Sequence, residues 1–299
     1  MKIIKNKNFL IFLVISGAFY LLLSFVVAYT AFTIGNQKSN LTPESVGLVY
    51  KEIDIETAES YISSWWIPNG SDVTLIMLHG LRGQKADEDI LTKIKAFNDM
   101  GFSIVAIDFR NHGKSGPGKF TFGLDEVDDV FSTMKYYKEY EGIKNFGIWG
   151  FSYGATTALF SGMEIDNYVE DVNLVGIFAE SPYMNLLEVF TDQVAYRTPL
   201  NKTVANLLKP GTVFLTKIIY DFDFNDIEEK FNSVDEIYFP TTVISCEIDE
   251  IIPITQTIKI GNKLGNNSGI ENFELCEAHG QAYSSDPKRY QNLIYKLFK

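Results

Sequence analysis

A serine hydroxyl is a poor nucleophile at neutral pH. It becomes useful only with a base beside it, a group that orients the base, and donors that stabilise an oxyanion. The 299-residue chain supplies residue types for each part, in order. Gly150-Phe151-Ser152-Tyr153-Gly154 stands between the apolar run 146–149 and a helical pattern that begins at Ala155. Ser152 is therefore expected on a sharp strand-to-helix turn, where the flanking glycines admit close backbone approach. Of the three histidines, His279 alone follows Ser152, in Cys276-Glu277-Ala278-His279-Gly280. It is the expected base, and His79 and His112 read as loop-shaping residues. Asp249 directly follows the apolar run 242–246. It is the expected acid, holding the His279 tautomer and stabilising the imidazolium. Its rivals Glu247 and Glu250 read as solvated loop charges. The oxyanion donors are expected to be the backbone N–H groups of Tyr153, which follows the nucleophile, and of Leu81, in the loop after His79-Gly80. Arg82 reads as solvent-exposed.

Positioning these groups takes a sheet. Segments 49–56 and 61–67 alternate apolar residues and end at Pro68-Asn69-Gly70, which reads as a hairpin followed by a turn. Runs 73–78, 103–107, 146–149, 174–179, 242–246 and 273–276 read as buried strands. Segments 87–100, 124–140, 155–163 and 288–298 read as helices. Such alternation predicts a mostly parallel sheet with right-handed crossovers. The aromatic and aliphatic stretch 184–238 breaks the rhythm and reads as several short helices. An insertion there is expected to form a small cap over the carboxyl ends of the strands, where open α/β sheets bind ligands.

The N-terminus carries Lys2, Lys5 and Lys7 ahead of residues 9–34, which hold no Asp, Glu, Lys or Arg. A bilayer core takes about 20 apolar residues. Residues 1–34 are therefore expected to be a single transmembrane anchor with a cytoplasmic N-terminus, and the rest of the chain to be extracytoplasmic. The alternative is a signal peptide cleaved at Val26-Val27-Ala28, which leads to a secreted protein. Residues 35–48 read as a polar linker, and 49–299 as the catalytic domain. The formal net charge of −12 and the lack of a Lys/Arg cluster argue against a nucleic-acid partner. Cys246 and Cys276 do not have the spacing of a zinc site. Two free buried thiols on neighbouring strands are expected, with a disulfide between them as the alternative. No metal or organic cofactor is implied.

Taken in order, several segments together resemble the α/β-hydrolase superfamily. They are His79-Gly80, Asp108-Phe109-Arg110-Asn111-His112-Gly113-Lys114-Ser115, the Ser152 pentapeptide, Glu180-Ser181-Pro182-Tyr183, Asp249 before Ile252-Pro253, and Ala278-His279. The branch resembled holds serine aminopeptidase-like hydrolases, monoacylglycerol lipases and small bacterial esterases. The resemblance implies an α/β-hydrolase fold with Ser152, Asp249 and His279 as a catalytic triad and Leu81 and Tyr153 as oxyanion donors. It implies ester cleavage through an acyl-enzyme on a small-molecule ester or acyl substrate. A serine peptidase or acyltransferase on the same fold is the alternative, and a non-catalytic binding protein a further one. Two positions depart from the family pattern. Cys246 stands where glycine is usual three residues before the acid. Asn111 replaces a glycine, and Asn tolerates a left-handed backbone.

Overall fold

The apolar runs of the sequence become strands buried on both faces. In a computed structural model that describes residues 7–35, 39–58, 60–198 and 200–299, eight strands form one sheet. They are β1 (Lys51–Glu56), β2 (Tyr61–Ile67), β3 (Val73–Leu78), β4 (Ser103–Ile107), β5 (Asn145–Phe151), β6 (Asn173–Glu180), β7 (Thr241–Cys246) and β8 (Gly269–Phe273). Their spatial order is β1-β2-β4-β3-β5-β6-β7-β8. β1 and β2 pair antiparallel, β2 pairs antiparallel to β4, and every later pairing is parallel. The central strands β3, β4 and β5 are buried almost throughout, as two-sided cover by helices demands.

The chain divides into two compact units. The larger comprises Ile34–Met184 and Glu229–Lys299 and contains the sheet. Its helices include α2 (Glu88–Asp99), α3 (Val127–Glu141) and α4 (Tyr153–Tyr168), which follow β3, β4 and β5 in turn. On one side of the sheet, Phe97, Trp149, Phe178, Tyr290 and Phe298 share a core with Leu75, Ile94 and Ile104. Each large apolar side chain so buried contributes roughly 1.5–3 kcal/mol. The described part of the expected linker is more ordered than its polarity implies. Pro43–Val46 forms a 3-10 turn, and Leu48 is buried in this core. Residues 36–38 of that linker lie outside the described residues.

The smaller unit joins the described residues of Met1–Thr33 to Asn185–Glu228. It contains the apolar helix α1 (Lys7–Phe32) and the inserted helices α5 (Leu186–Arg197) and α6 (Lys202–Tyr220). The Tyr20 hydroxyl donates to the Leu207 carbonyl and accepts from the Gly211 amide, beside Pro210, which supplies no N–H to the helix. A side chain at Gly211 would collide with Ser24. Phe32 stacks on Tyr220 at 4.0 Å between ring centroids. The predicted anchor is thus packed on the inserted segment, a grouping that the alternation pattern could not foretell. Lys2 and Lys5 lie outside the described residues.

Candidate functional site

β5 runs directly into α4, and Ser152 is the hinge between them. Its backbone is left-handed, with φ 55° and ψ −114°, a region that costs a non-glycine residue energy unless its surroundings impose it. The surroundings are close on both sides. A Cβ at Gly150 would fall on the Gly154 carbonyl, and one at Gly154 would come within 2.5 Å of the Leu78 carbonyl oxygen. The Ser152 amide donates to the Glu180 carbonyl at 2.7 Å, which ties the turn to β6. Tyr153 opens α4, where the first amides have no acceptor within the helix and the positive end of the dipole gathers. Its side chain turns inward and packs with Phe109, Phe120 and His112.

Asp249 follows β7 and His279 follows β8. The two side chains meet, with His279 Nδ1 donating to Asp249 Oδ2 at 2.8 Å. The same oxygen accepts the Ser181 hydroxyl at 3.0 Å, while Oδ1 accepts the amides of Ile251 at 2.9 Å and Ile252 at 2.7 Å. Burial pulls the Asp249 carboxyl upward. The hydrogen bond and charge interaction with His279, with the two amides, outweigh that pull and hold its pKa below the ordinary aspartate value. A proton on Nδ1 leaves Nε2 of His279 as the basic nitrogen. The His279 ring packs on Phe151 at 4.7 Å between centroids, one residue from Ser152. Glycines on both flanking loops make room for that ring. A Cβ at Gly80 or at Gly280 would touch Phe151, and the Gly80 position also lies 3.6 Å from Ser152 Cβ.

The other two histidines use both ring nitrogens on backbone groups. His79 Nε2 accepts the Phe109 amide at 3.1 Å, so its Nδ1 carries the proton and donates to the Gly80 carbonyl at 2.8 Å. His112 accepts the Arg82 amide through Nε2 and donates to the Arg110 carbonyl through Nδ1. Burial lowers the pKa of His79, and burial followed by the charge of His79 lowers that of His112 to about 3. Both therefore remain neutral and shape the loop that carries Leu81. The buried pair Lys85–Asp108 fixes the far end of the same loop at 2.5 Å. Asn111 has φ 64° and exchanges side-chain hydrogen bonds with Gly118.

Two features escaped the sequence, and at a third the less favoured alternative holds. Ser181 is polar, strained at φ 52° and adjacent to β6, yet no spacing rule links it to Asp249. Glu250, expected to be a solvated charge, is exposed but accepts the His279 amide at 3.0 Å. Cys246 and Cys276, expected as free thiols, form a disulfide with a Cα–Cα distance of 4.9 Å, within the range such bonds need. The expectation erred because the last strand ends at Phe273. Cys276 lies in the turn beyond it, where its side chain faces the end of β7. Behind the site, Trp149 Nε1 donates to the Tyr290 hydroxyl at 2.7 Å, which donates to the Glu180 carboxyl at 2.6 Å. Among the described residues no cluster of His, Cys, Asp and Glu has the arrangement of a metal site.

Comparison with known proteins agrees with this architecture. The alpha/beta hydrolase fold family matches residues 73–204. YqkD, an uncharacterized protein of Bacillus subtilis, is 25% identical over 238 residues, covering 77% of this chain and 72% of YqkD. Among solved structures, the Pyrococcus furiosus esterase Pf2001 superposes with a TM-score of 0.70 at 25% identity, covering 88% of this chain and 94% of the esterase. Est1E of Butyrivibrio proteoclasticus, solved with ferulic acid bound, superposes with a TM-score of 0.57 at 14% identity, covering 82% of this chain and 98% of Est1E.

Proposed function

We propose that this chain, a member of the α/β-hydrolase superfamily, is a serine hydrolase that cleaves carboxylic esters. The observation that carries the reading is the Asp249–His279 hydrogen bond, formed beside the strained turn that presents Ser152. Ser152 Oγ attacks the acyl carbon while His279 Nε2 takes its proton. The oxyanion is held by the amides of Leu81 and Tyr153, the latter reinforced by the positive end of α4. The tetrahedral adduct collapses, the alcohol leaves with the proton from His279, and an acyl-enzyme remains. Water activated by the same nitrogen then releases the acid. Asp249 stays ionised throughout, steadying the imidazolium at each step.

The reading also places the enzyme at a membrane, with α1 as its anchor and the catalytic unit outside the cytoplasm. α1 is 26 residues long, its most apolar 18-residue stretch has a mean hydropathy of 2.6, and Lys7–Phe19 is exposed on every side, Phe12, Val14, Ile15 and Phe19 included. Ala28, the residue before the alternative cleavage point, is fully buried along with Ser24 and Ala31 at helical spacing. That packing of the residues around the cleavage point supports the anchor over the cleaved peptide. A disulfide also suits an oxidising compartment. Tyr20 of α1 is bonded to α6, and the stretch Lys7–Phe19 ahead of it makes about 20 Å of helix against a hydrocarbon core of about 30 Å. On this reading the near end of the inserted helices rides against the outer leaflet, a position that suits the exposed Leu207, Phe214 and Ile218 of α6.

Turnover of p-nitrophenyl esters across acyl chain lengths tests the catalytic reading, with Ser152→Ala as control and aminoacyl amides and acyl acceptors assayed beside them. Ester cleavage that falls by several orders of magnitude in Ser152→Ala is the expected result. Unchanged turnover in that variant, or faster cleavage of amides than of esters, contradicts it. Resistance of the full chain to alkaline carbonate extraction tests the anchor.

A further inference from the structure

We propose that the Cys246–Cys276 disulfide is a positioning device for the reaction, holding the Asp249 loop and the His279 loop in register so that ester cleavage depends on the oxidised pair. The proposal rests on the triad reading above. Its basis is a coincidence of spacing. The two cysteines are 30 residues apart, and so are Asp249 and His279. Cys246 lies three residues before the acid, and Cys276 three residues before the histidine. A covalent cross-link and the acid–base hydrogen bond are therefore two rungs of one ladder, separated by arms of equal length.

The arms need such a tie. The His279 arm leaves β8, a five-residue edge strand paired on one side with β7, and it contains no strand before His279. Leu275, beside Cys276, is 78% exposed. Further ties between the arms include hydrogen bonds: Ile248 N–H to the Cys276 carbonyl at 3.2 Å, Glu247 N–H to the Phe273 carbonyl at 3.1 Å, the Asn272 side-chain amide to the Glu247 carboxylate, and His279 N–H to the exposed Glu250 carboxylate at 3.0 Å. Water competes for each of these, so each contributes little net constraint. The disulfide, by contrast, has both cysteines fully buried and does not exchange with solvent. An arm of three residues can reach about 10 Å when extended. A displacement of about 1 Å between catalytic groups costs on the order of 100-fold in rate. Cutting the cross-link therefore frees far more travel than the chemistry tolerates.

The test uses the full chain in detergent with a p-nitrophenyl ester. A water-soluble phosphine, which reaches the buried sulfurs only as the exposed arm around Leu275 opens, reduces the bond. It supplies two electrons, water supplies two protons, and the phosphine leaves as its oxide. Maleimide labelling counts the thiols before and after. Expected are no free thiols in the isolated protein, kcat about 100-fold lower after reduction with KM little changed, and recovery on reoxidation by glutathione disulfide. Cys246→Ala combined with Cys276→Ala is expected to match the reduced enzyme. In Asp249→Asn, where the orienting acid is already lost, reduction is expected to cause no further loss. A bond that merely stiffens the domain would multiply the two losses. The proposal is overturned by two free thiols in the isolated protein, by unchanged kcat after reduction, by multiplied losses in Asp249→Asn, or by collapse of the circular-dichroism spectrum on reduction. If Asp249→Asn itself retains full turnover, the triad reading fails and this proposal falls with it. The other contrary results leave the triad reading standing.

Discussion

The two halves of the candidate site are positioned by different means. Ser152 ends a strand with neighbours on both sides, and its geometry follows from packing. Gly150 and Gly154 have no room for a side chain, and the amide is tied to β6. Asp249 and His279 ride on loops at the open side of the sheet, where β8 has a single neighbour. There the position depends on discrete ties: four hydrogen bonds on one carboxylate, and a disulfide three residues away. Where the sheet interior dictates a conformation, backbone contacts suffice. Where the sheet runs out, side chains must supply the constraint.

The largest expected effect falls on the loop half. Asp249→Asn should lower kcat for a p-nitrophenyl ester by about 10,000-fold, because the wrong histidine tautomer is then favoured, while the melting temperature moves little by comparison. On the nucleophile half, Gly150→Ala should cost about 3 kcal/mol in urea unfolding, since its methyl group falls on the Gly154 carbonyl. Gly269→Ala, on edge strand β8 with open space around it, should stay within about 0.5 kcal/mol. Equal costs at the two glycines would erase the contrast.

Glu126 probes the packing beneath Tyr153 by pH. Burial raises its pKa to about 7, against the donors Thr121 and Gly123. The folded state thus keeps a proton that the unfolded chain releases near 4.5. The stability this provides is present below pH 4.5 and is lost as pH rises to about 7, for a total of about 3 kcal/mol. Urea unfolding of wild type against Glu126→Gln across that window should show the difference shrinking or reversing as pH rises. A constant difference refutes the assignment. The smallest effect on turnover is expected at Ser181→Ala, which removes one of four hydrogen bonds to Asp249 and should lower kcat about tenfold.

The interior half was also the legible half. Runs 73–78 and 103–107 coincide with β3 and β4, because strands covered on both faces are written as unbroken apolar segments. The turn at Ser152 was readable from glycine spacing between two such elements. The edge was not. β8 is Gly269–Phe273, and only its last residue is buried, so the run 273–276 pointed past its end. That shift hid the disulfide, since two cysteines on flat neighbouring strands have less reason to meet than one at a strand end and one in a turn. Ser181 and Glu250 reach their partners across 68 and 29 residues, distances over which no local pattern carries information. The packing of α1 on α6 was hidden for the same reason. An apolar helix records that it avoids water, not what covers it.

The central claim is that Ser152 is an activated nucleophile. Reaction of the folded full chain with a fluorophosphonate, followed by peptide mass spectrometry, tests it most directly. The account predicts one phosphonyl adduct per chain, on the peptide containing Ser152, abolished in Ser152→Ala and strongly slowed in His279→Ala. An adduct on another residue, or none on folded protein, would contradict it.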